Sequence, residues 1–148
     1  MTDPTVSSNP PADLIADILV NAGVFVDGWT FAVGRLPSGP DQVVAIIDSP
    51  GPSGFPSISL DFPGIQVMVR GAPGSTSYKD TWKKMYQVRD ILLGIDNAPV
   101  EFPELWGCTE RGQPAPLGYD DKDRPQFSWN AQLTVGPVPT ADSNRVSA

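Results

Sequence analysis

The sequence predicts an α+β fold: a mixed, mostly antiparallel twisted sheet with two helices packed on one face, plus a C-terminal β-hairpin. Two segments carry apolar residues at helical spacing, and several shorter ones alternate apolar with polar residues. Between them, 14 Gly and 17 Pro scattered over 148 positions break the chain without any collagen-like period. A hydrophobic fraction of 40% supplies one ordinary core, so a single domain is expected over residues 9–135, with 1–8 and 136–148 as flexible ends.

The first helix is expected to start at Asn9 as N-cap, with Pro10 and Pro11 in the first turn, where proline is tolerated. Leu14, Ile15, Ile18, Leu19 and Ala22 share one face opposite Asp13 and Asp17, and Gly23 is placed to stop the helix. Trp29, Phe31 and Val33 alternate with Thr30 and Ala32, as in a half-buried strand. A Pro/Gly turn follows, then Val43–Ile47, an apolar run too short for a helix; these two strands are expected to pair as a hairpin. Residues 48–64 read as a long loop, in which 57–61 is the segment able to pair briefly with a sheet edge.

Ile65, Val67 and Val69 mark the next strand, closed by Gly71. The second helix spans 78–93, opened by Ser77 and Asp80 in capping-box spacing, with Trp82, Met85, Val88 and Leu92 as its buried stripe. In the last third, 104–111 and 115–119 read as antiparallel strands and Asp120–Arg124 as a charged hairpin tip. Phe127, Trp129, Ala131, Leu133 and Val135 then alternate with polar residues more regularly than any other segment.

Charge and composition exclude several functions. Ten Lys+Arg against 17 Asp+Glu give a net charge of −7, the wrong sign for gripping nucleic-acid phosphates. The chain has no His, the commonest general base and metal ligand at neutral pH, and one Cys, Cys108, which excludes an internal disulfide or a cysteine zinc cluster. No run is apolar enough to span a membrane, and Met1–Thr5 show no signal-peptide pattern.

Catalytic templates fail on required parts. Gly71–Ser75 lacks the Lys of a phosphate-binding loop, and Gly51-Pro52-Ser53-Gly54 has no base for its serine. Asp120, Asp121 and Asp123 open like a calcium loop, but Pro125 stands where Gly is required and Ala131 where Glu is required. The acids and tryptophans leave open a small enzyme or a carbohydrate-binding module, although the tryptophan spacing favours core packing. No catalytic, cofactor or metal site is expected.

Two charged clusters stand out instead. Lys79, Lys83, Lys84 and Arg89 place four of the ten cations on the second helix, either as a solvated face or as one that meets an acidic partner or a neighbouring copy. Asp120, Asp121, Lys122, Asp123 and Arg124 form a run with no apolar member to bury. That run is expected to project into solvent or a partner, with little influence on the fold.

The segment Asp61–Gly71, a strand ending in Arg-Gly, is followed by a helix opened by Tyr78 and ending Asp90–Ile95. With the later segment Pro116–Asn130, it resembles the tail terminator (minor capsid or tail completion) proteins of long-tailed bacteriophages, and the likeness covers about residues 10–135. The resemblance implies a structural virion protein of the tail neck, assembled in the host cytoplasm. It implies a ring, commonly a hexamer, that caps the head-proximal end of the tail tube and stops its polymerisation. The implied partners are further copies of itself, the tail tube protein and a head–tail connector, with DNA passing through the channel unbound. Another neck or head-completion protein would fit the same composition.

Overall fold

The computed structural model describes residues 10–52, 54, 60–95 and 105–136. Asn9 and the expected ends 1–8 and 137–148 lie outside the described residues, whereas Gly136 is described and buried. The elements in chain order are α1 (Pro11–Asn21), β1 (Thr30–Val33), β2 (Val43–Ser49), β3 (Gly64–Arg70), a 3-10 turn (Ser75–Ser77) that runs into α2 (Tyr78–Leu93), β4 (Leu105–Glu110), β5 (Ala115–Tyr119) and β6 (Pro125–Val135).

The six strands form one mixed, mostly antiparallel sheet in the order β1-β2-β3-β6-β4, with β5 also pairing β6. The regular alternation of β6 makes it the sheet's spine. Along one side it pairs with β3 from Gln126 to Gln132. Along the other side it pairs with β4 through its C-terminal half and with β5 through its N-terminal half. Both β4 and β5 run antiparallel to β6, so they form one interrupted edge, and β5 turns through residues 120–124 into β6 as a C-terminal hairpin.

One face of the sheet carries the core. Phe127, Trp129, Ala131 and Leu133 of β6, Ile65, Val67 and Val69 of β3, and Val44 and Ile46 of β2 all point to it. Ile15 and Leu19 of α1 and Met85, Val88 and Leu92 of α2 close over them. The first helix ends where Gly23 adopts φ +77, a conformation that side chains with a Cβ disfavour. Its other end differs from expectation: Pro10 is the N-cap, and the first turn's free Ala12 N–H donates to Asp48 Oδ1 of β2 at 2.9 Å.

Three further expectations are corrected. First, β1 and β2 do not form a hairpin; they pair in parallel, Thr30 opposite Val43 and Val33 opposite Ile46. Parallel neighbours usually need a crossover of about a dozen residues or more, yet here residues 34–42 carry the chain back. Second, Trp82 is 43% exposed, because the buried stripe runs through Thr81, Met85, Val88 and Leu92, and Trp82 lies off it. Trp106 is also exposed, while Trp29 and Trp129 are buried. Third, Ser77 makes no capping bond; its Oγ donates backwards to the carbonyls of Ala72 and Gly74. From the 57–61 segment, Asp61 exchanges two backbone hydrogen bonds with Val135, both 2.9 Å.

The junction of β3 and α2 is tight. Gly71 is buried, and a Cβ placed on it would run into Thr81 Oγ1 of α2. Gly71→Ala should therefore cost about 1–3 kcal/mol by overpacking, read as a lower urea midpoint at unchanged slope. Adding Thr81→Ala should recover part of the loss.

Candidate interaction surfaces

The return loop 34–42 folds over the end of the sheet, where its carbonyl groups need donors. Two buried guanidinium groups supply them. Arg70, 2% exposed at the end of β3, donates from Nη1 to Pro37 O at 2.5 Å, from Nη2 to Pro40 O at 2.7 Å and from Nε to Asp41 O at 3.1 Å. Arg124, 4% exposed, donates from Nη1 to Ser38 O at 2.9 Å and pairs with Asp41 Oδ1 at 3.1 Å. Its Nε meets Asp120 Oδ2 at 2.8 Å. Burial lowers the Arg70 pKa, and the neighbouring Arg124 charge lowers it further; Asp120 and Asp41 oppose both.

Asp120 also builds the hairpin tip. Its Oδ1 accepts from the backbone N–H groups of Lys122 at 3.0 Å and Arg124 at 2.9 Å, an Asx-type turn. Burial alone would raise this carboxyl, but hydrogen bonds from the Arg124 backbone and side chain and from Lys122 outweigh it, and the pKa lies below the ordinary value. The expectation that the whole charged run projects outward is thus corrected. Arg124 and Asp120 turn into the fold, and Asp121, Lys122 and Asp123 remain exposed. The tip is also bonded to the β3–α2 connection, where Gly74 N–H donates to Asp123 O at 2.8 Å.

The cations of α2 divide in the same way. Lys84 is buried, its ammonium donating to Val24 O and Gln87 Oε1, both at 2.8 Å, and standing 5.4 Å from the Trp29 ring centroid. Burial lowers its pKa and Asp27 opposes the shift. Arg89 grips Glu110 of β4 through Nε at 2.9 Å and Nη2 at 2.6 Å. Lys79 and Lys83 are exposed and, among the described residues, make no hydrogen bond or ion pair. Two of the four cations therefore fasten α2 to its neighbours and two face solvent.

Beside them lies a feature that spacing alone could have revealed. Tyr78, Trp82 and Tyr86 recur every four residues along one flank of α2. Trp82 stacks on Tyr86 with centroids 4.1 Å apart, and Tyr78 stands 6.5 Å from Tyr119 of β5. Burial pushes the Cys108 thiol up to about 12, so it is a poor nucleophile. Among the described residues no group of acids or Cys108 is arranged to hold a metal, and no helix is long and apolar enough to cross a membrane.

Residues 18–136 match the model of a family described as bacteriophage tail terminator protein. The match begins inside α1 and takes in every strand of the sheet. A comparison with curated proteins finds no match.

Removing the Arg124 guanidinium strands Asp120 and the loop carbonyls, so Arg124→Gln should cost about 3 kcal/mol, measured by urea unfolding. Asp120 gives a pH signature. Its carboxyl is depressed in the folded state, so its stabilisation is complete above the ordinary value of about 3.9. That contribution is lost as pH falls from there through the lower folded value. Asp120→Asn should therefore show a smaller drop in urea midpoint than the parent between about pH 6 and about pH 3.

Proposed function

This chain belongs to the bacteriophage tail terminator family, and from that premise we propose that it closes into a ring, a hexamer, on the head-proximal end of the tail tube. The membership itself makes it a structural protein of the phage tail. In the proposed role the ring stops tube polymerisation and offers its far side to the head–tail connector, while DNA passes through its channel. The observation that carries the reading is the family match across the entire sheet. The charge supports it as well: a net −7 chain does not trap phosphates moving past it.

Two exposed features fit the contacts such a ring needs. The tip residues Asp121, Lys122 and Asp123 project past the hairpin and suit axial docking against a partner ring. Lys79 and Lys83 lie on the outward side of α2 and suit contact with acidic surfaces of neighbouring copies. Lys84, Arg89, Asp120 and Arg124 contribute by holding these surfaces in shape rather than by touching a partner.

Mixing the protein with polymerised tail tube protein should give rings bound at one end of each tube in negative-stain images. Tubes that keep growing and carry no caps would overturn the reading. For the tip, the double variant Asp121→Ser, Lys122→Ser keeps Asp120 and Arg124, so it should melt with the parent. Phage carrying it should produce headless or overlong tails. Normal tails joined efficiently to heads would show the tip to be a plain solvated turn.

A further inference from the structure

Both helices pack on the core face of the sheet, which leaves the other face without a helical layer among the described residues. Alternation and register place Gln66 of β3, Ser128, Asn130, Gln132 and Thr134 of β6, and Thr109 of β4 on that open face. Gln66 stands opposite Asn130, and Gln132 opposite Thr109. Asn130 and Thr109 are exposed and the other four are half-buried. Thr109 Oγ1 donates to Gln132 O at 3.3 Å. The other five side chains make no hydrogen bond among the described residues, and none is sealed from solvent, so their amides and hydroxyls are free to bond outward.

The strands present no carboxylate on this face. The six strands contain two acids, and both stand on the helical side. Asp48, opposite Ile65, accepts from the Ala12 N–H of α1, and Glu110, opposite Ala131, is held by Arg89 of α2. Cations are nearly as scarce. Arg111 follows β4 beside Asn130, whose carbonyl accepts its N–H. Where β6 starts, the buried guanidinium groups of Arg70 and Arg124 are balanced by Asp41 and Asp120. Charged side chains ordinarily fill exposed positions, and the other surfaces of this net −7 chain expose Asp17, Asp27, Asp80, Asp90 and Asp121. A face of neutral amides and hydroxyls is therefore a departure from the rest of the molecule.

We propose that this open face is the wall of the channel and that its partner is duplex DNA moving past it. The proposal rests on the ring reading above and adds which surface of each copy turns inward. Amides and hydroxyls hydrogen-bond phosphates and sugars. Because they neutralise no phosphate, they release no counterions, and the contribution that makes DNA binding tight is missing. A wall of carboxylates would repel the duplex and a wall of lysines would hold it; this face does neither. Turning it inward also sends the acids and lysines of α1 and α2 outward. A protein partner suits the face poorly, because interface centres are rich in aromatic side chains and arginine. Here the large apolar residues, Ile47 and Met68, are half-buried, and the exposed Trp106 stands at the β4 margin.

The test grows phage particles with the photo-crosslinker p-benzoylphenylalanine in place of Asn130, or in place of Lys83 on the helical side, and irradiates them while they eject their DNA. The probe at 130 should crosslink to DNA and the probe at 83 should not. If the Asn130 variant gives no particles, Thr109, exposed on the same face, takes the probe. Crosslinks from this face to a neighbouring copy, the tube protein or the connector would overturn the proposal and assign the face to that partner. DNA crosslinks at 83, or ejection with no DNA crosslink from the face, would overturn it too and leave the ring reading standing. Particles with no ring of this protein between tube and head would overturn the ring reading, and this proposal with it. As a second measurement, Asn130→Lys adds one cation per copy at an exposed site, so the variant should melt with the parent. It should slow DNA ejection by about tenfold or more at low salt, with the delay shrinking as salt rises, whereas Asn130→Gln should eject at the parent's rate. Unchanged ejection in Asn130→Lys particles would overturn the proposal.

Discussion

Residues 34–42 must carry the chain back along β1 so that β2 can start beside it in parallel, and the guanidinium groups of Arg70 and Arg124 make that return possible. Five oxygens of the loop, the carbonyls of Pro37, Ser38, Pro40 and Asp41 and one carboxylate oxygen of Asp41, are held by them. Arginine suits this task because it presents several donors in a rigid plane and stays charged when buried. Two like charges placed so close are costly, and Asp120 and Asp41 offset the repulsion. The end of β3, the start of β6, the hairpin tip and the return loop are therefore one connected unit.

Much of the architecture is legible in the residues. Period-two alternation identifies β3 and β6, helical spacing identifies α1 and α2, and Gly23 marks a stop that the backbone makes there. What was not legible depends on distant partners. Two alternating segments separated by prolines and glycines look the same whether they pair in parallel or as a hairpin, because strand direction is decided by what grips the connection. Here the grip comes from Arg70 and Arg124, far along the chain. Trp82 was misplaced for a different reason: its size argues for burial, but burial follows the stripe centred on Met85 and Val88.

The candidate surface shows the same division. Charge composition alone marks the cations of α2 and the run at 120–124, but it does not separate residues that hold the fold from residues that are free to bind. Lys84 reaches a carbonyl in the α1–β1 connection and Arg89 reaches β4, contacts that no local spacing encodes. The aromatic repeat Tyr78, Trp82, Tyr86 was visible at its spacing, and it took the position of β5 to show that this flank is continuous with Tyr119.

The sharing of β6 by three strands has a consequence for synthesis. β3, β4 and β5 all pair with β6, the last strand among the described residues, so the sheet cannot be completed until residues 125–135 have been made. Contacts of this long sequence separation fold slowly and late. A chain broken off before residue 125 would have β1, β2 and β3 without their spine, and β4 and β5 without a partner. Without β6 in place, the hairpin and the β5 edge cannot form in such fragments. A chain interrupted before β6 is therefore unfinished as a whole sheet rather than short of one edge.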